Sequence, residues 1–501
     1  MIQDALLGLH PAGSSQRGFA STDEEPLSLS SSGSTPARSR ESNEATRAPW
    51  RGALLALEDL PLELVFLAIA LTWGVLQVFV VPPFQVPDEG DHWFRAWALT
   101  DGQLTADQQG MVTLPASFAR PADLYTRLVA AGVLPVSLEG QAGFAGYEGL
   151  FNGTGPSGTV RVPSRVASYG PLGYIPQAVG VALGRLVAAP PLTCFYLARL
   201  GNLLAAVALL FLAIRIAPFG KPLFMLLGLL PMTMFELASV SCDALTIAGA
   251  MFFTALALWA STRPTLRRTD IALLVSAAAV LLNIKPGYWA LVLLVLLIRP
   301  AQLGGRLRFA LFVAGNVLMV ASVFLLVVLL TSTDARIQGA GGPQEQLLFI
   351  ARQPLDFLGI VWSNLLANLV KWPLEIIGVL GWFTIALPPL SYLLALVGGF
   401  GAFLQWREDV RLRPKERALL AAVGVAVFGT MVVALYAFLE PTGSGQVQVQ
   451  GRYLAPVLLL FLLSIYGMRF APRRLGRFAT VGVVLVVAAQ NLQTLLSVYH
   501  P

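Results

Sequence analysis

The sequence has few charged residues, few histidines and almost no cysteine, and each shortage excludes a class of protein. Only 12% of the 501 residues are charged, which is about half the share found in soluble globular chains. Two cysteines, Cys194 and Cys242, exclude a disulfide framework and a zinc site built on cysteine pairs. Three histidines exclude a histidine-rich metal site. The net charge of +6 comes from short loops between apolar runs, so nucleic acid is not an expected partner.

Long apolar runs take the place of the missing charge. The chain is 56% hydrophobic, and several runs reach the ~20 residues that cross a bilayer. The sequence therefore predicts an all-α, polytopic transmembrane helical bundle in the lipid bilayer, with about eleven crossings. The apolar runs lie at 60–81, 192–214, 222–240, 244–260, 270–283, 287–298, 307–330, 388–404, 418–438, 453–468 and 478–497.

The N-terminal region differs in composition from the rest of the chain. Residues 1–55 are predicted to form a disordered cytoplasmic tail, because the Ser-rich stretch at 28–44 cannot bury enough apolar surface to fold. Arg47 and Arg51 precede the first apolar run, and the positive-inside rule then places the N-terminus in the cytoplasm. Residues 56–501 are predicted to form the transmembrane domain.

The distribution of Lys and Arg among the loops predicts which side of the membrane each loop faces. Basic loops alternate with short connections near 241–243, 284–286 and 440–452, whose only basic residues are Lys285 and Arg452, and the basic loops are expected in the cytoplasm. The remaining loops include a large first extracytoplasmic loop at 82–171 and a second extracytoplasmic segment at 331–373. The stretches 168–191 and 374–387 are expected to lie at the interface or to re-enter, not to cross.

The first extracytoplasmic loop begins with PPFQVPDEGDHWFRAW, residues 82–97, directly after the first apolar run. Its prolines prevent the helix from continuing, so charged groups are presented at the membrane boundary. Charges in such a place indicate a functional site, although acids also favour a helix start and His92 also suits aromatic packing. The candidates are Asp88, Glu89, Asp91, His92 and Arg95.

Other loops on the same side add both acidic and cationic groups. Asp243 follows one short loop, Lys285 lies in a second, and Arg452 with Tyr453 lies in a third. A carboxylate could take a proton from an acceptor hydroxyl, and a cation could hold the phosphate of a lipid-linked donor. The alternatives are an N-cap for Asp243, snorkelling for the two cations and an aromatic belt for Tyr453. Glu236, inside an apolar run, needs a partner that the sequence does not name.

Six stretches, taken together and in order, resemble a bacterial membrane family. This family is the domain of unknown function 2142, which is grouped with GT-C-type glycosyltransferases, and the resemblance covers residues 60–470. The stretches are PPFQVPDEGDHWFRAW, YGPLGYIPQAVGVALGRL, YLARLGNLL, SVSCDAL, NIKPGYWALVLL and QGRYLAPVL.

The resemblance implies a GT-C-like fold and an inverting transfer of sugar from a polyprenyl-phosphate donor. It implies that the acidic pair Asp88 and Glu89 supplies the general base, with Asp88 preferred, or binds a divalent metal such as Mg or Mn. It also implies a donor-phosphate contact at Arg452 and Tyr453, and Lys285 fits that role by charge and depth. Asp91, His92, Arg95 and Asp243 would line the site.

The expected function is therefore transfer to an envelope glycan, lipid or protein acceptor on the outer face of the plasma membrane. Two other classes stay open. One is a transporter or flippase for a lipid-linked or polar substrate, for which Glu236 is the best argument. The other is a non-catalytic scaffold for envelope synthesis, with the acidic loop as its docking surface.

Overall fold

A computed structural model describes most of the chain after residue 59. The described residues are 60–107, 109–130, 148–152, 157–164, 166, 169–331, 343–404, 412–440, 443–467 and 473–500. The predicted tail at 1–55 lies outside the described residues, and so do 131–147 of the first loop and 332–342 of the second outer segment.

The described residues are mostly helical, which confirms the predicted helical class. Each long helix corresponds to an apolar run of the sequence. In order, the α-helices are α1 (Leu62–Val80), α2 (Glu89–Thr100), α3 (Ala119–Ala130), α4 (Ile175–Leu186), α5 (Pro191–Ile216), α6 (Lys221–Gly228), α7 (Pro231–Leu237), α8 (Asp243–Thr262), α9 (Arg268–Ile284), α10 (Arg306–Thr331), α11 (Pro343–Arg352), α12 (Pro354–Ala367), α13 (Lys371–Gly378), α14 (Pro389–Leu404), α15 (Pro414–Leu439), α16 (Ala455–Ile465) and α17 (Arg473–Tyr499).

Short strands and 3₁₀ segments complete the described elements. The strands form two antiparallel pairs, which the all-α prediction did not include. They are β1 (Met111–Pro115) with β2 (Thr159–Pro163), and β3 (Val379–Leu380) with β4 (Ile385–Ala386). The 3₁₀ segments are Ala116–Phe118, Pro171–Tyr174, Pro286–Leu297, Pro300–Leu303 and Gly451–Leu454.

Six helices of the described chain are long and apolar enough to cross a membrane. They establish the coarse prediction of a multi-helix membrane protein. The predicted number of about eleven crossings stays a prediction. The six are Leu62–Val80, Pro191–Ile216, Asp243–Thr262, Arg306–Leu326, Pro414–Leu439 and Ala479–Tyr499.

Proline divides several of the other apolar runs. The run at 222–240 forms two short helices, α6 and α7, and Pro231 is the first residue of the second. The run at 287–298 is a 3₁₀ segment that begins at Pro286. Because proline has no N–H to continue the helical ladder, a new element begins at each of these prolines.

Glycines allow α4 and α5 to pack closely. A side chain at Gly180 would overlap the backbone of Leu197, and one at Gly201 would overlap the carbonyl of Pro176. Gly180 and Gly184 form a G-x-x-x-G pattern, which permits close approach of helices in membranes. This packing holds α4, which follows the first loop, against α5.

The described part of the first loop is folded around aromatic side chains. Phe84 has a left-handed backbone, with φ of 67°, and its ring lies 5.6 Å from that of Tyr125. Trp93 of α2 stacks on Phe118 with ring centroids 5.9 Å apart. Since these rings come from the turn before α2, from α2, from α3 and from the segment after β1, they hold these parts of the loop together.

Candidate functional site

Arg452 lies at the centre of a cluster of charged side chains. The 3₁₀ turn that precedes α16 carries its guanidinium into the bundle, where the side chain has no exposed area. An arginine has five N–H donors, and all five are used within the protein. The acceptors are Gln450 Oε1 for Nε (2.7 Å), Pro87 O (3.2 Å) and Glu236 Oε1 (3.1 Å) for Nη1, and Asp88 Oδ2 (2.5 Å) and Tyr453 Oη (2.9 Å) for Nη2.

Asp88 is held by this arginine and stays accessible. It precedes α2 with a left-handed backbone, φ 62°, and its side chain makes no capping hydrogen bond to the helix. The left-handed region costs about 1–3 kcal/mol for a residue other than glycine, and such outliers cluster at functional sites. The side chain is 34% exposed, and Oδ1 accepts no hydrogen bond from the described residues. Asp88 therefore lies at the helix start, but its side chain is directed to Arg452 and does not cap the helix.

Asp243 and Lys285 join the same cluster from two other loops. Asp243 is the first residue of α8, whose N-cap is Cys242, so the N-cap alternative for Asp243 is wrong. Its Oδ2 lies 3.7 Å from Arg452 Nη1, and its Oδ1 accepts a hydrogen bond from Lys285 Nζ. The ammonium also lies 4.1 Å from the ring centroid of Tyr453, within the range of a cation–π contact.

Glu89 occupies a different environment from Asp88. It is fully buried, and Arg199 of α5 donates to both of its oxygens, at 2.8 and 2.7 Å. The backbone N–H groups of Phe84 and Val240 donate to the same carboxylate, at 3.0 and 3.1 Å. Four hydrogen bonds leave this carboxylate no exposed oxygen. The pair joins the first loop to α5 and to the loop before α8.

The three other candidates of α2 are also buried. Asp91 accepts a hydrogen bond from the Tyr125 hydroxyl at 2.8 Å. His92 Nδ1 lies 2.8 Å from the Tyr174 hydroxyl, and burial lowers the pKa of His92 to about 4, so the imidazole is neutral at pH 7. Arg95 donates to the carbonyls of Gln103 and Leu104, just beyond the end of its own helix. Asp91 and Arg95 thus hold the loop, and only His92 faces the charged cluster.

The sequence reasoning missed Arg199, and it singled out Glu236 without finding its partner. Arg199 interrupts the apolar run of α5, and a charge there requires a partner, but its partner, Glu89, is 110 positions away. Glu236 is also a charge within an apolar run, and its partner in the structure is Arg452. The signal in both cases is a charge within an apolar run, and the pairing depends on how the broken helices fold back.

The arrangement does not fit a metal ion held by Asp88 and Glu89. Both Glu89 oxygens are bonded to Arg199 and backbone N–H groups, while Asp88 is directed to Arg452. Among the residues that the structure describes, no three His, Cys, Asp or Glu side chains are grouped so that they could hold a metal ion.

The apolar helices and the buried charged cluster define a helical membrane protein with a polar site between its loops. The chain belongs to the domain of unknown function 2142 family, described as predicted membrane proteins, whose family model matches residues 71–461. The searches of curated proteins and of solved structures gave no match.

Proposed function

We propose that the protein is a membrane glycosyltransferase that moves a sugar from a polyprenyl-phosphate donor to an envelope acceptor on the outer face of the plasma membrane. The observation that supports this most is that an accessible carboxylate and a cation lie in the same cluster. One carboxylate, Asp88, is partly exposed and oriented by a buried arginine. A cation, Lys285, lies in the same cluster with 15% of its side chain exposed.

Asp88 is the proposed general base. Its Oδ1 takes the proton of an acceptor hydroxyl, whose oxygen then attacks the anomeric carbon of the donor sugar. The bond from that carbon to the phosphate oxygen breaks, and the polyprenyl phosphate leaves with the electron pair. Arg452 acts as a positioning residue, because its N–H to Oδ2 fixes the carboxylate while Oδ1 faces the substrate.

Lys285 is the proposed contact for the donor phosphate. An ammonium has three N–H donors; one is directed to Asp243, and the structure assigns the other two no carboxylate among the described residues. A charge-assisted hydrogen bond from Lys285 would offset the charge that develops on the leaving phosphate. The predicted phosphate contact of Arg452 and Tyr453 stays a prediction, and the geometry favours Lys285, because all five N–H groups of Arg452 are used.

The test is transfer of labelled sugar from a polyprenyl-phosphate donor by the purified protein and its Asp88→Asn variant. Asparagine keeps the shape and tolerates the left-handed backbone, so the variant should fold. We expect its kcat to fall by about 10²–10⁴-fold, the range for loss of a general base. Asp123→Asn changes an exposed carboxylate of α3 and should leave kcat unchanged. Full activity of Asp88→Asn would refute the base assignment.

Lys285→Gln tests the donor contact separately. Loss of a hydrogen bond from a charged group costs about 1.5–3 kcal/mol, so we expect the KM for donor to rise by about 10–100-fold. Lys415→Gln removes an exposed lysine from the start of α15 and serves as the control. An unchanged donor KM in Lys285→Gln would remove Lys285 from the proposed site.

A further inference from the structure

A polar cleft lies beside the charged cluster. Its volume is about 610 Å³, within the range of about 300–1,000 Å³ for small-molecule sites. One wall comes from α12 and α13, and the other is the extended segment 445–450 before Arg452. Its lining includes Lys371, Glu375, Phe383, Gln446, Gln448 and Gln450.

The segment QVQVQ, residues 446–450, has two different faces. Val447 and Val449 are buried in an apolar cluster with Trp372 and Tyr436, whereas Gln446 and Gln448 are exposed on the cleft side. This alternation is the pattern of an extended chain with one buried face. The valines therefore fix the segment, and the glutamine amides are presented as a row.

Hydrogen bonds to the backbone hold this wall without using the glutamine amides. Asn364 Oδ1 accepts from Val447 N (3.2 Å), Glu440 Oε1 from Gln448 N (2.8 Å), and Trp372 Nε1 donates to Val449 O (2.9 Å). The side-chain amides of Gln446 and Gln448 make no hydrogen bond to the described residues. Each amide therefore offers both donors and an acceptor to a ligand.

Gln450 connects the cleft to the charged cluster. Its Oε1 accepts from Arg452 Nε at 2.7 Å, which leaves its amide N–H groups for a ligand in the cleft. Glu375, on the opposite wall, accepts from Gly451 N at 2.8 Å. A ligand that fills the cleft thus lies one side chain away from the arginine that holds Asp88.

The lining indicates a neutral, hydroxyl-rich ligand. Neutral amides both donate and accept, as hydroxyl groups require, and the ring of Phe383 offers one apolar surface. A phosphate would need several free cations, but the cleft has only Lys371 among the described residues, and Lys371 lies 3.6 Å from Glu375. We propose that this cleft binds a neutral saccharide, which deepens and rests on the proposed transfer reaction.

An extended peptide is a poorer fit for the same cleft. A peptide that adds to an exposed strand pairs with free backbone N–H groups. In this wall the N–H groups of Gln446, Val447, Gln448 and Val449 all donate within the protein. The segment therefore has no row of free donors for a new strand, and recognition must come through the side-chain amides.

Binding is measured first without any transfer reaction, by saturation-transfer NMR on the purified full chain in a detergent without sugar. The probes are maltotriose, cellotriose and mannotriose, with trialanine as the peptide probe. We expect at least one trisaccharide to bind, and a several-fold weaker signal in Gln446→Ala/Gln448→Ala. Gln353→Ala, an exposed glutamine outside the cleft, should match the unchanged protein. Binding of no trisaccharide, or of trialanine alone, would overturn the proposal.

Transfer kinetics then identify the source of the saccharide. A raised acceptor KM in Gln446→Ala/Gln448→Ala, with kcat and donor KM unchanged, indicates an acceptor glycan. A raised donor KM alone indicates the donor sugar. If trisaccharides bind through the two glutamines but the protein transfers no sugar, the cleft proposal stands and the proposed enzymatic function fails. Unaltered binding in the double variant would remove the glutamines from the site.

Discussion

Asp88 and Glu89 are neighbours in the sequence with opposite surroundings. Asp88 has one oxygen on Arg452 and a partly exposed side chain, whereas Glu89 is fully enclosed by Arg199 and two backbone N–H groups. The difference follows from the helix start: Asp88 is the last residue before α2, and Glu89 is the first residue within it. We therefore assign the chemistry to Asp88 and the support of the loop to Glu89.

Glu89→Gln separates these two roles. The change leaves Arg199 buried with a neutral partner, and breaking a buried ion pair costs about 3–5 kcal/mol. We expect a lower midpoint of thermal unfolding in detergent and a reduced yield of folded protein. Asp101→Asn breaks a more exposed ion pair to Arg185 with a 2.6 Å contact and should change the midpoint much less. Normal stability with lost transfer in Glu89→Gln would instead make Glu89 the base.

The buried His92 should make the stability of the folded protein depend on pH. Burial lowers its pKa to about 4, with Asp243 and Asp88 raising the pKa and Lys285 and Arg452 lowering it. In the unfolded chain the pKa is about 6.5, so between these values the unfolded state binds the proton and the folded state does not. The contribution of neutral His92 to the free energy of unfolding is fully present above pH 6.5. It falls by about 3 kcal/mol as the pH is lowered towards 4.

The measurement is the midpoint of thermal unfolding at pH 7.5 and pH 5. Glutamine cannot be protonated and can still accept a hydrogen bond from the Tyr174 hydroxyl, so His92→Gln should lose less stability between these two pH values than the unchanged protein. An identical fall in both proteins would show that other groups cause the acid sensitivity.

Single residues also show where sequence reasoning stops. Asp88, Asp243, Lys285 and Arg452 were found because each ends an apolar run or lies in a junction between two runs, and the structure places all four in one cluster. Arg199 was not assigned a role, because its partner comes from a loop distant in sequence. The sequence indicates which charges need partners, and only the packing of the helices decides the pairs.

At the scale of elements, apolar runs without an internal proline were predicted within a few residues. The runs at 192–214 and 244–260 became α5 and α8, with boundaries only slightly longer. The runs that contain Pro231 or follow Pro286 became short helices and a 3₁₀ segment. A hydropathy profile does not detect such breaks in a helix. It reports how well the side chains suit the lipid, and it carries no information on the backbone hydrogen bonds.

The close contact between α4 and α5 should not tolerate a larger residue at Gly180. In Gly180→Ala the added methyl group would overlap the backbone of Leu197, so the helices must separate. We expect a lower unfolding midpoint and weaker transfer, since α4 follows the loop that carries the site. Gly315→Ala in α10 has open space around the new methyl group and should be neutral or stabilising by up to about 1 kcal/mol. Equal midpoints for the two variants would contradict close packing at Gly180.

At the scale of the whole molecule, the loops that supply the site are expected on the outer face. Both native cysteines are buried, so single introduced cysteines can be labelled without background. Leu104→Cys, exposed in the first loop, should react with a membrane-impermeant maleimide in intact cells. Lys415→Cys, exposed at the start of α15, should react only after the cells are permeabilised. The reverse labelling pattern would place the site on the cytoplasmic side. It would refute the proposal that the protein uses a sugar donor on the outer face.

In the resting protein the guanidinium of Arg452 has no N–H left for a ligand. Two cations, Arg452 and Lys285, lie among three acids there, and every N–H of the guanidinium already has an acceptor within the protein. Any ligand that engages Arg452 must displace one of its present acceptors, and Asp88 is the most exposed of the three acids. A substrate that leaves these bonds intact therefore meets Oδ1 of Asp88 while Arg452 still holds Oδ2.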